Sequence, residues 1–296
     1  MMRMNYFKQF ISSMKSRGHG SKEFYVRKVS LLGNQLTLQT ARQDRVLSSM
    51  FRGEVEMCPY YLAELQWLAD QLTEDTIMFE AGGNVGSVAI ALALENPSAR
   101  IISFEPDPLN YSLFQIDLRL NGVGNVEAFN MALGKKAGLV QMYTSPDNFG
   151  DHRTSKPLGF SLKEDSFIHA SNMIPMVQGR DFLHELGLSQ ALNLVKIDTQ
   201  GADVEILRSL IDCLDSKAKV GLEFSPYHLN ANGTTPDDVE EVLSRFQQIQ
   251  IIEPDRTSGY CLRDCSLPDL VEFYGKNCDM YQGYFDLVLS APVLSI

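Results

Sequence analysis

A glycine-rich turn between an apolar strand and an apolar helix constrains this chain more than any other feature. Residues 76–79, Thr-Ile-Met-Phe, predict a short buried strand, and Glu80 stands at its carboxyl end. Three glycines follow within 82–86, and residues 87–94 continue as an alanine- and leucine-rich helix. Strand, glycine-rich turn and helix in this order let backbone N–H groups approach a nucleotide-like ligand closely. The turn therefore predicts a nucleoside-cofactor site.

Strands and helices alternate from this turn onward, which predicts a parallel, right-handed, doubly wound sheet. Asp107 before Pro108 and Thr235 before Pro236 have the residue types of helix N-caps. The polar segment 145–175 shows no period and is expected to be an irregular insertion. The predicted strands lie at 76–80, 99–105, 125–133, 138–144, 192–198, 219–224, 250–252 and 285–290, with an irregular segment between the last two.

The region ahead of the alternation predicts a different kind of structure. Residues 24–38 alternate enough to suggest a hairpin, and 59–72 carry leucines at helical spacing, as in a helix packed against the edge of the main sheet. Residues 5–14 have the pattern of a short, basic amphipathic helix.

The composition and charge of the chain limit which binding partners and which cellular compartment are expected. The chain has 26 Lys and Arg against 37 Asp and Glu, which argues against nucleic-acid binding because that needs basic surface. No stretch approaches the roughly 20 apolar residues of a membrane span, and the N-terminus lacks the pattern of a secretory signal. Five scattered cysteines indicate free thiols in a reducing compartment. We expect a cytoplasmic protein with no integral membrane segment, and a homo-oligomer stays open.

Two cofactor classes compete for the glycine-rich turn. Residues 81–86 differ from the dinucleotide fingerprint only by Ala81 at the first glycine, and Glu105 supplies the expected acid about 20 residues on. An NAD(P)-dependent oxidoreductase therefore stays open. Glu80 favours another cofactor, because its carboxylate suits a cationic amino-acid group and repels a pyrophosphate. Asp198 ends a later strand and adds a carboxylate at the same sheet edge.

Several motifs occur in the order found in one known family. They are Glu-x-Gly-x-Asn-x-Gly at 80–86, Phe-Glu-Pro-Asp-Pro at 104–108, Asn-Gly at 121–122, Ala-Leu-Gly at 132–134 and Lys-Ile-Asp-x-x-Gly-Ala-Asp at 196–203. Over roughly 76–225 the chain resembles the FkbM family of S-adenosylmethionine-dependent methyltransferases, mostly O-methyltransferases. It departs at 80–84, where the family usually has Asp-Val-Gly-Ala-Asn, and at Gln200, where it usually has Glu.

The resemblance implies a Rossmann-like class I methyltransferase fold, α/β, with a seven-stranded, mostly parallel sheet and an antiparallel last strand. An N-terminal cap of helix and hairpin would occupy 1–72, and the methyltransferase domain 73–296. The implied reaction is O-methylation of a hydroxyl on a small molecule or sugar. A non-catalytic binding module on the same fold is a further alternative.

The resemblance also implies which residues bind S-adenosyl-L-methionine. Gly82 and Gly86 would let the backbone approach the cofactor, and Glu80 and Asn84 would orient its amino-acid end. Glu105 would accept hydrogen bonds from the ribose hydroxyls, and two further residues would border the adenine. The implied cofactor-binding residues are Glu80, Gly82, Asn84, Gly86, Glu105, Met131 and Ala132.

Methyl transfer to an alcohol requires alignment of the acceptor and a group that takes its proton. The resemblance puts Asp198 near the transfer point, as a base or as a structural carboxylate. His152, in the irregular insertion, is the other catalytic candidate. Glu223 and His228 flank the end of the next strand and are expected to contact substrate. No metal is expected, because the remaining ligands of a site around Asp198 cannot be found.

Overall fold

The computed structural model describes residues 24–53, 56–156, 168–279 and 283–292, and excludes the side chains of 168–172 and 291. The predicted helix at 5–14 lies outside the described residues. The strands are β1 (Phe24–Leu31), β2 (Asn34–Ala41), β3 (Ile77–Ala81), β4 (Arg100–Phe104), β5 (Val126–Phe129), β6 (Ala132–Leu133), β7 (Gly138–Thr144), β8 (Ile168–Val177), β9 (Leu192–Ile197), β10 (Leu214–Phe224), β11 (Phe246–Asp255), β12 (Gly259–Asp264) and β13 (Phe285–Pro292). The helices are α1 (Arg45–Phe51), α2 (Pro59–Asp70), α3 (Ser87–Glu95), α4 (Pro108–Leu120), α5 (Gly179–Glu185), α6 (Asp203–Leu210), α7 (Pro226–Ala231), α8 (Pro236–Leu243) and α9 (Leu267–Asn277).

The central sheet has the order β12-β11-β13-β10-β9-β3-β4-β5 in the described part of the chain. Strands β5, β4, β3, β9 and β10 are parallel, and β13 runs antiparallel to both β10 and β11. Chain order reverses between β3 and β9, which makes this the topological switch point where ligands bind in such sheets. The predicted α/β fold with a mostly parallel sheet and an antiparallel last strand is confirmed.

The strand count differs from the prediction, because the described residues form a central sheet of eight strands instead of seven. The additional strand, β12, lies in the segment expected to be irregular and pairs with β11 as a hairpin. Its turn is closed by Asp255 Oδ1, which accepts the N–H groups of Thr257 and Ser258 at 2.9 Å. Most β12 side chains are exposed, so its sequence carries no apolar period that marks a strand.

Two further segments differ from their predictions. The strand expected at 125–133 is split into β5, in the central sheet, and β6, which joins β7 and β8 in a separate three-stranded sheet. Asn130 lies at the break, where its Nδ2 donates to the carbonyls of Glu105 and Pro106 at 2.9 and 3.0 Å. In the segment 145–175, which was expected to be irregular, the residues from 168 onward belong to β8 and pair with β7. The two strands are separated in sequence by residues 145–167, so no local sequence signal reports their pairing.

The predicted hairpin is present as β1 and β2, and it docks on α4 through two polar side chains. Asn121 Oδ1 accepts the N–H of Thr37 at 2.7 Å, and its Nδ2 donates to the Thr37 carbonyl at 2.8 Å. Asp117 Oδ2 accepts the N–H of Gln39 at 2.8 Å. These side chains bond the open edge of β2 as a third strand would.

Helix α2 covers one face of the central sheet. Its Trp67 is buried against Gly221 of β10, where a Cβ would approach the indole ring to 2.9 Å. Glu64 of the same helix is also buried. The helix predicted at 59–72 therefore contributes to the core, and it also contacts β11 and β12 on the side of the sheet where β12 is the outermost strand. None of the described helices is both long and apolar enough to span a lipid bilayer.

Candidate active site

A cleft of about 710 Å³, open to solvent, lies at the carboxyl ends of β3, β4 and β9. It is lined by Ala81, Gly82, Asn84, Phe104, Glu105, Pro106, Met131, Ala132, Leu133, Phe149, Gly150, His152, Arg153, Thr154, Asp198, Thr199, Gln200 and Ala202. Glu80, Gly86, Glu223 and His228 from the predicted site are not among the lining residues.

Gly82 brings the turn after β3 into direct contact with the end of β9. Its φ is +90°, and a Cβ on it would lie 1.9 Å from the carbonyl oxygen of Asp198. The N–H groups of Gly82 and Gly83 both donate to the Phe104 carbonyl at 2.9 Å, which ties the turn to β4 as well. The absence of a side chain at Gly82 is therefore a geometric requirement of the cleft floor.

Gly86 serves helix packing. It is the N-cap of α3 with φ +82°, and a Cβ there would enter the ring of Phe114 on α4 at 2.0 Å. Gly86 therefore influences the cleft indirectly, because it allows α3 and α4 to pack closely against each other.

Glu105 ties the first turn to the start of α4. Its Oε2 accepts the N–H of Asn84 and its Oε1 accepts the N–H of Asp107, both at 2.7 Å. Asp107 is also the predicted N-cap of α4, accepting the N–H groups of Leu109 and Asn110 at 2.9 Å. Burial raises the pKa of Glu105 to about 8. Each Glu105 oxygen keeps a second lone pair for a further donor.

The acceptors around the turn fit the amino-acid end of S-adenosylmethionine, the cofactor that the motifs imply. Asn84 lines the cleft with φ +50°, and its buried Oδ1 has no hydrogen-bond partner in the described chain. Beneath the turn, Glu80 Oε2 accepts a 2.5 Å hydrogen bond from Ser103 Oγ, while its Oε1 likewise has none among the described residues. Burial raises the pKa of Glu80. Buried acceptors without partners suit an ammonium or hydroxyl donor of a ligand.

Lys196 is a buried cation beneath the cleft, and the sequence interpretation assigned it no role. It pairs with Glu80 in the register of β9 and β3, and its Nζ lies 3.4 Å from Asp198 Oδ2. Burial lowers the pKa of Lys196, but neighbouring carboxylates outweigh this effect and raise it above its ordinary value. These carboxylates are Glu64, Asp198, Glu80 and Asp286. Lys196 therefore compensates acidic groups from two strands, from one helix and from the residue that follows β9.

His152 lines the cleft in a neutral form. Its Nδ1 accepts the N–H of Ser145 at 3.1 Å, and its ring stacks at a tilt on Phe149 with 4.8 Å between centroids. Burial lowers its pKa, and Asp107 opposes that shift. With Nδ1 as acceptor, the neutral ring carries its proton on Nε2.

Arg153, which lines the cleft, is buried next to His228, which does not line it. Arg153 Nη2 donates to Asp151 Oδ1 at 2.8 Å, and the same oxygen lies 3.8 Å from His228 Nε2. Burial and the charge of Arg153 hold the pKa of His228 well below its ordinary value. Glu223, the other predicted substrate contact, is buried at the end of β10. Both expected substrate contacts stay predictions.

The sequence interpretation missed Phe149, Arg153 and Gln200 as cleft residues. Each stands in a segment that it singled out, but none of these residue types has a spacing that marks a site. Lys196 is the residue that the sequence could most easily have revealed, because a lysine inside the apolar strand Leu192–Ile197 is unusual. In the part of the chain that the structure describes, no group of three or more His, Cys, Asp or Glu side chains is arranged to hold a metal ion.

A family model described as "Methyltransferase FkbM domain" matches residues 80–249, more than half of the chain. The chain belongs to the FkbM methyltransferase family. This match confirms the resemblance drawn from the motifs, and the cofactor of the family is S-adenosylmethionine. Together with the strand order, it assigns the Rossmann-like fold of class I methyltransferases. The family match therefore decides between the two cofactor classes: the cofactor is S-adenosylmethionine and not a dinucleotide.

Two relatives show how far the similarity extends. Methyltransferase 1 of Beauveria bassiana is 28% identical over 153 residues, which are 47% of this chain and 60% of the relative. Hexuronic acid methyltransferase AglP of Haloferax volcanii is 25% identical over 181 residues, 61% of this chain and 66% of the relative. The chain thus matches less than two thirds of the length of each.

Among solved structures, M. jannaschii TYW2 in complex with AdoMet aligns over 93% of this chain and 88% of that one. Their identity is 9% and the TM-score is 0.45. A likeness of this degree adds nothing to the assignment, which rests on the family match and the strand order.

Proposed function

We propose that this FkbM-family protein transfers the methyl group of S-adenosylmethionine to a hydroxyl of a small molecule or a sugar. The observation that carries the proposal is the close approach of Gly82 to the Asp198 backbone at the cleft floor. Because of it, the glycine-rich turn and the Asp198 side chain line the same cleft. The hexuronic acid methyltransferase among the relatives supports a sugar as acceptor.

S-adenosylmethionine, when bound, supplies a methyl group that is already activated by its sulfonium sulfur. The residues of the chain therefore have to bind and orient the reactants and move one proton. Asn84 and the Gly82 backbone would hold the amino-acid end, and Glu105 the ribose hydroxyls. Met131 and Ala132 offer an apolar wall for the adenine.

Asp198 is the proposed proton acceptor. Its side chain is 38% exposed, and Lys196 Nζ and Gln200 Nε2 approach its two oxygens at 3.4 and 2.9 Å. These donors orient the carboxylate, while its exposure leaves room for an acceptor hydroxyl. His152 suits a different task, because its proton on Nε2 is available to donate a hydrogen bond. We assign it the orientation of the acceptor.

The remaining assignments follow from the same proposal. Residues 73–296 would form the methyltransferase domain, with 1–72 as a cap whose α2 supplies Glu64 to the Lys196 cluster. The protein would act in the cytoplasm on a small, diffusible acceptor without binding nucleic acid, in keeping with its net charge of −11.

Calorimetry and a turnover assay test the proposal. We expect S-adenosylhomocysteine to bind and NADH not to bind, and Glu105→Ala to weaken the affinity at least about tenfold through the lost acceptor. Glu127→Ala, at an exposed glutamate on the neighbouring β5, is the matched control and should bind normally. With hexoses and hexuronic acids as trial acceptors, Asp198→Asn should lower turnover about 100-fold or more.

Two outcomes would contradict the proposal. A wild-type protein that binds no S-adenosylhomocysteine would instead favour a non-catalytic binding module. Normal turnover in Asp198→Asn would remove the aspartate from its assigned role.

Cofactor affinity is also expected to depend on pH through Glu105. At about pH 6 the free protein holds this carboxyl largely protonated, because its pKa is raised to about 8. Hydroxyl donors favour the ionised form, so binding releases a proton and affinity rises by up to about tenfold per pH unit until it levels off above about pH 8. Calorimetry across this range measures the slope. Glu105→Gln should bind more weakly with a flat profile, and the same slope in that variant would assign the effect to another group.

A further inference from the structure

Gln200 bridges two carboxylates at the cleft. Its Nε2 donates to Asp198 Oδ1 and to Glu223 Oε2, both at 2.9 Å. Asp198 lines the cleft, whereas Glu223 is buried at the end of β10. One neutral NH₂ group therefore uses both of its hydrogens on anionic partners.

The backbone around Gln200 fixes this arrangement. Gln200 has φ +57°, in the left-handed region that residues other than glycine rarely adopt. Gly201 follows with φ +125°, and a Cβ on it would approach the His228 carbonyl oxygen to 2.4 Å. Asp203 accepts the N–H groups of Thr199 and Gly201 at 2.8 Å from the other side of the turn. An uncommon backbone conformation held on both sides indicates that the direction of the Gln200 side chain matters.

The charges nearby explain what the amide contributes. Lys196 Nζ approaches Asp198 from its other oxygen, so the cation serves the buried side of that carboxylate. Glu223 stands opposite Asp286 in the pairing of β10 with β13, which adds another carboxylate on its side. Without the amide, the facing carboxylate oxygens of Asp198 and Glu223 would repel each other.

We infer that Gln200 is a positioning residue that holds the Asp198 carboxylate in place at the cleft against the repulsion of Glu223. Lys196 and Gln200 together fix both oxygens of Asp198, one through a cation and one through a neutral donor. The consequence for proton acceptance by Asp198 rests on the proposed function. The electrostatic bridge itself does not, so it can be tested without cofactor or acceptor.

Gln200→Glu is the sharpest test, because it keeps the shape and replaces the donor by a third carboxylate. In EDTA we expect its melting temperature to fall by about 4 °C. Calcium chloride at about millimolar concentration should restore it, since Ca²⁺ binds converging carboxylate oxygens. Wild-type protein is expected to melt at the same temperature in both buffers.

Gln190→Glu is the matched control. Gln190 is exposed and has φ +55°, so the substitution makes the same charge change on the same type of backbone away from the cleft. It should melt like the wild type in both buffers. If Gln200→Glu behaves as Gln190→Glu does, the inferred role is overturned.

Gln200→Met is a second variant that tests the same role if Gln200→Glu fails to fold. Methionine has a similar length but no donor, so we expect a melting temperature about 4 °C lower, with partial recovery in calcium. A methionine variant that melts like the wild type would overturn the role. Because melting requires no ligand, a failure of wild-type protein to bind S-adenosylhomocysteine would count against the proposed function alone.

Discussion

Gly82→Ala is expected to cost the protein about 3 kcal/mol of unfolding free energy and at least about tenfold in S-adenosylhomocysteine affinity. The added Cβ would lie 1.9 Å from the Asp198 carbonyl oxygen, far inside contact distance. Both backbones are held, because Gly82 donates to the Phe104 carbonyl at 2.9 Å and Asp198 donates to the Ala81 carbonyl at 3.0 Å. Relief of the clash therefore separates β3 from β9 at the cleft floor. Chemical denaturation and calorimetry measure the two losses.

Gly122→Ala separates this clash from backbone strain. Gly122 has φ +67° at the end of α4, and a Cβ there would meet no atom within 4 Å. It should lose only the cost of a left-handed alanine, about 1–2 kcal/mol, with unchanged cofactor affinity. Equal losses in the two variants would show that the contact between Gly82 and Asp198 has no special importance.

Lys196→Met is expected to have the largest effect on stability, a loss of about 3–5 kcal/mol near pH 8. The substitution removes the buried cation and leaves the carboxylates of Glu64, Glu80, Asp198 and Asp286 without it. Lys196 also opposes the raised pKa of Glu80, so its removal raises that pKa further. A carboxyl group whose pKa is higher in the folded state than in the unfolded state stabilises the folded protein while it is protonated. The free energy of unfolding therefore falls as the pH rises and the group ionises.

The loss should therefore be smaller near pH 5.5 than near pH 8, and denaturant unfolding at both values measures the difference. Lys219→Met is the control on the neighbouring strand β10. Its ammonium donates to the neutral hydroxyl of Ser290 at 2.9 Å, so its replacement should cost less than about 1 kcal/mol at either pH. A loss in Lys196→Met that is equal at both values would rule out carboxylate repulsion as its cause.

Local features of the sequence predicted local structure well. Asp107 and Thr235 are N-caps as expected, and Thr235 forms a reciprocal capping box with Asp238. The glycine-rich turn lies between β3 and α3, and the hairpin ahead of it is present. Such features depend on a few consecutive residues, which is why the sequence reveals them.

Features that depend on distant pairing were not predictable in the same way. Strand β12 has exposed side chains and is a strand because β11 pairs with it. Strand β8 pairs with β7 although residues 145–167 separate the two strands in sequence, and β6 leaves the central sheet although it follows β5 closely. Hydrogen bonding to a partner strand, and not the residue types of these segments, determines their structure.

The sequence by itself determined the α/β class, the glycine-rich turn between β3 and α3, and the family. Only the tertiary structure decided which charged groups meet beneath and beside the cleft. The structure pairs Glu80 of β3 with Lys196 of β9, a strand that is distant in sequence but adjacent in the sheet. It also joins Asp198 to Glu223 through the side-chain amide of Gln200. The physical reason is that electrostatic interaction depends on distance and burial, and strand register sets both.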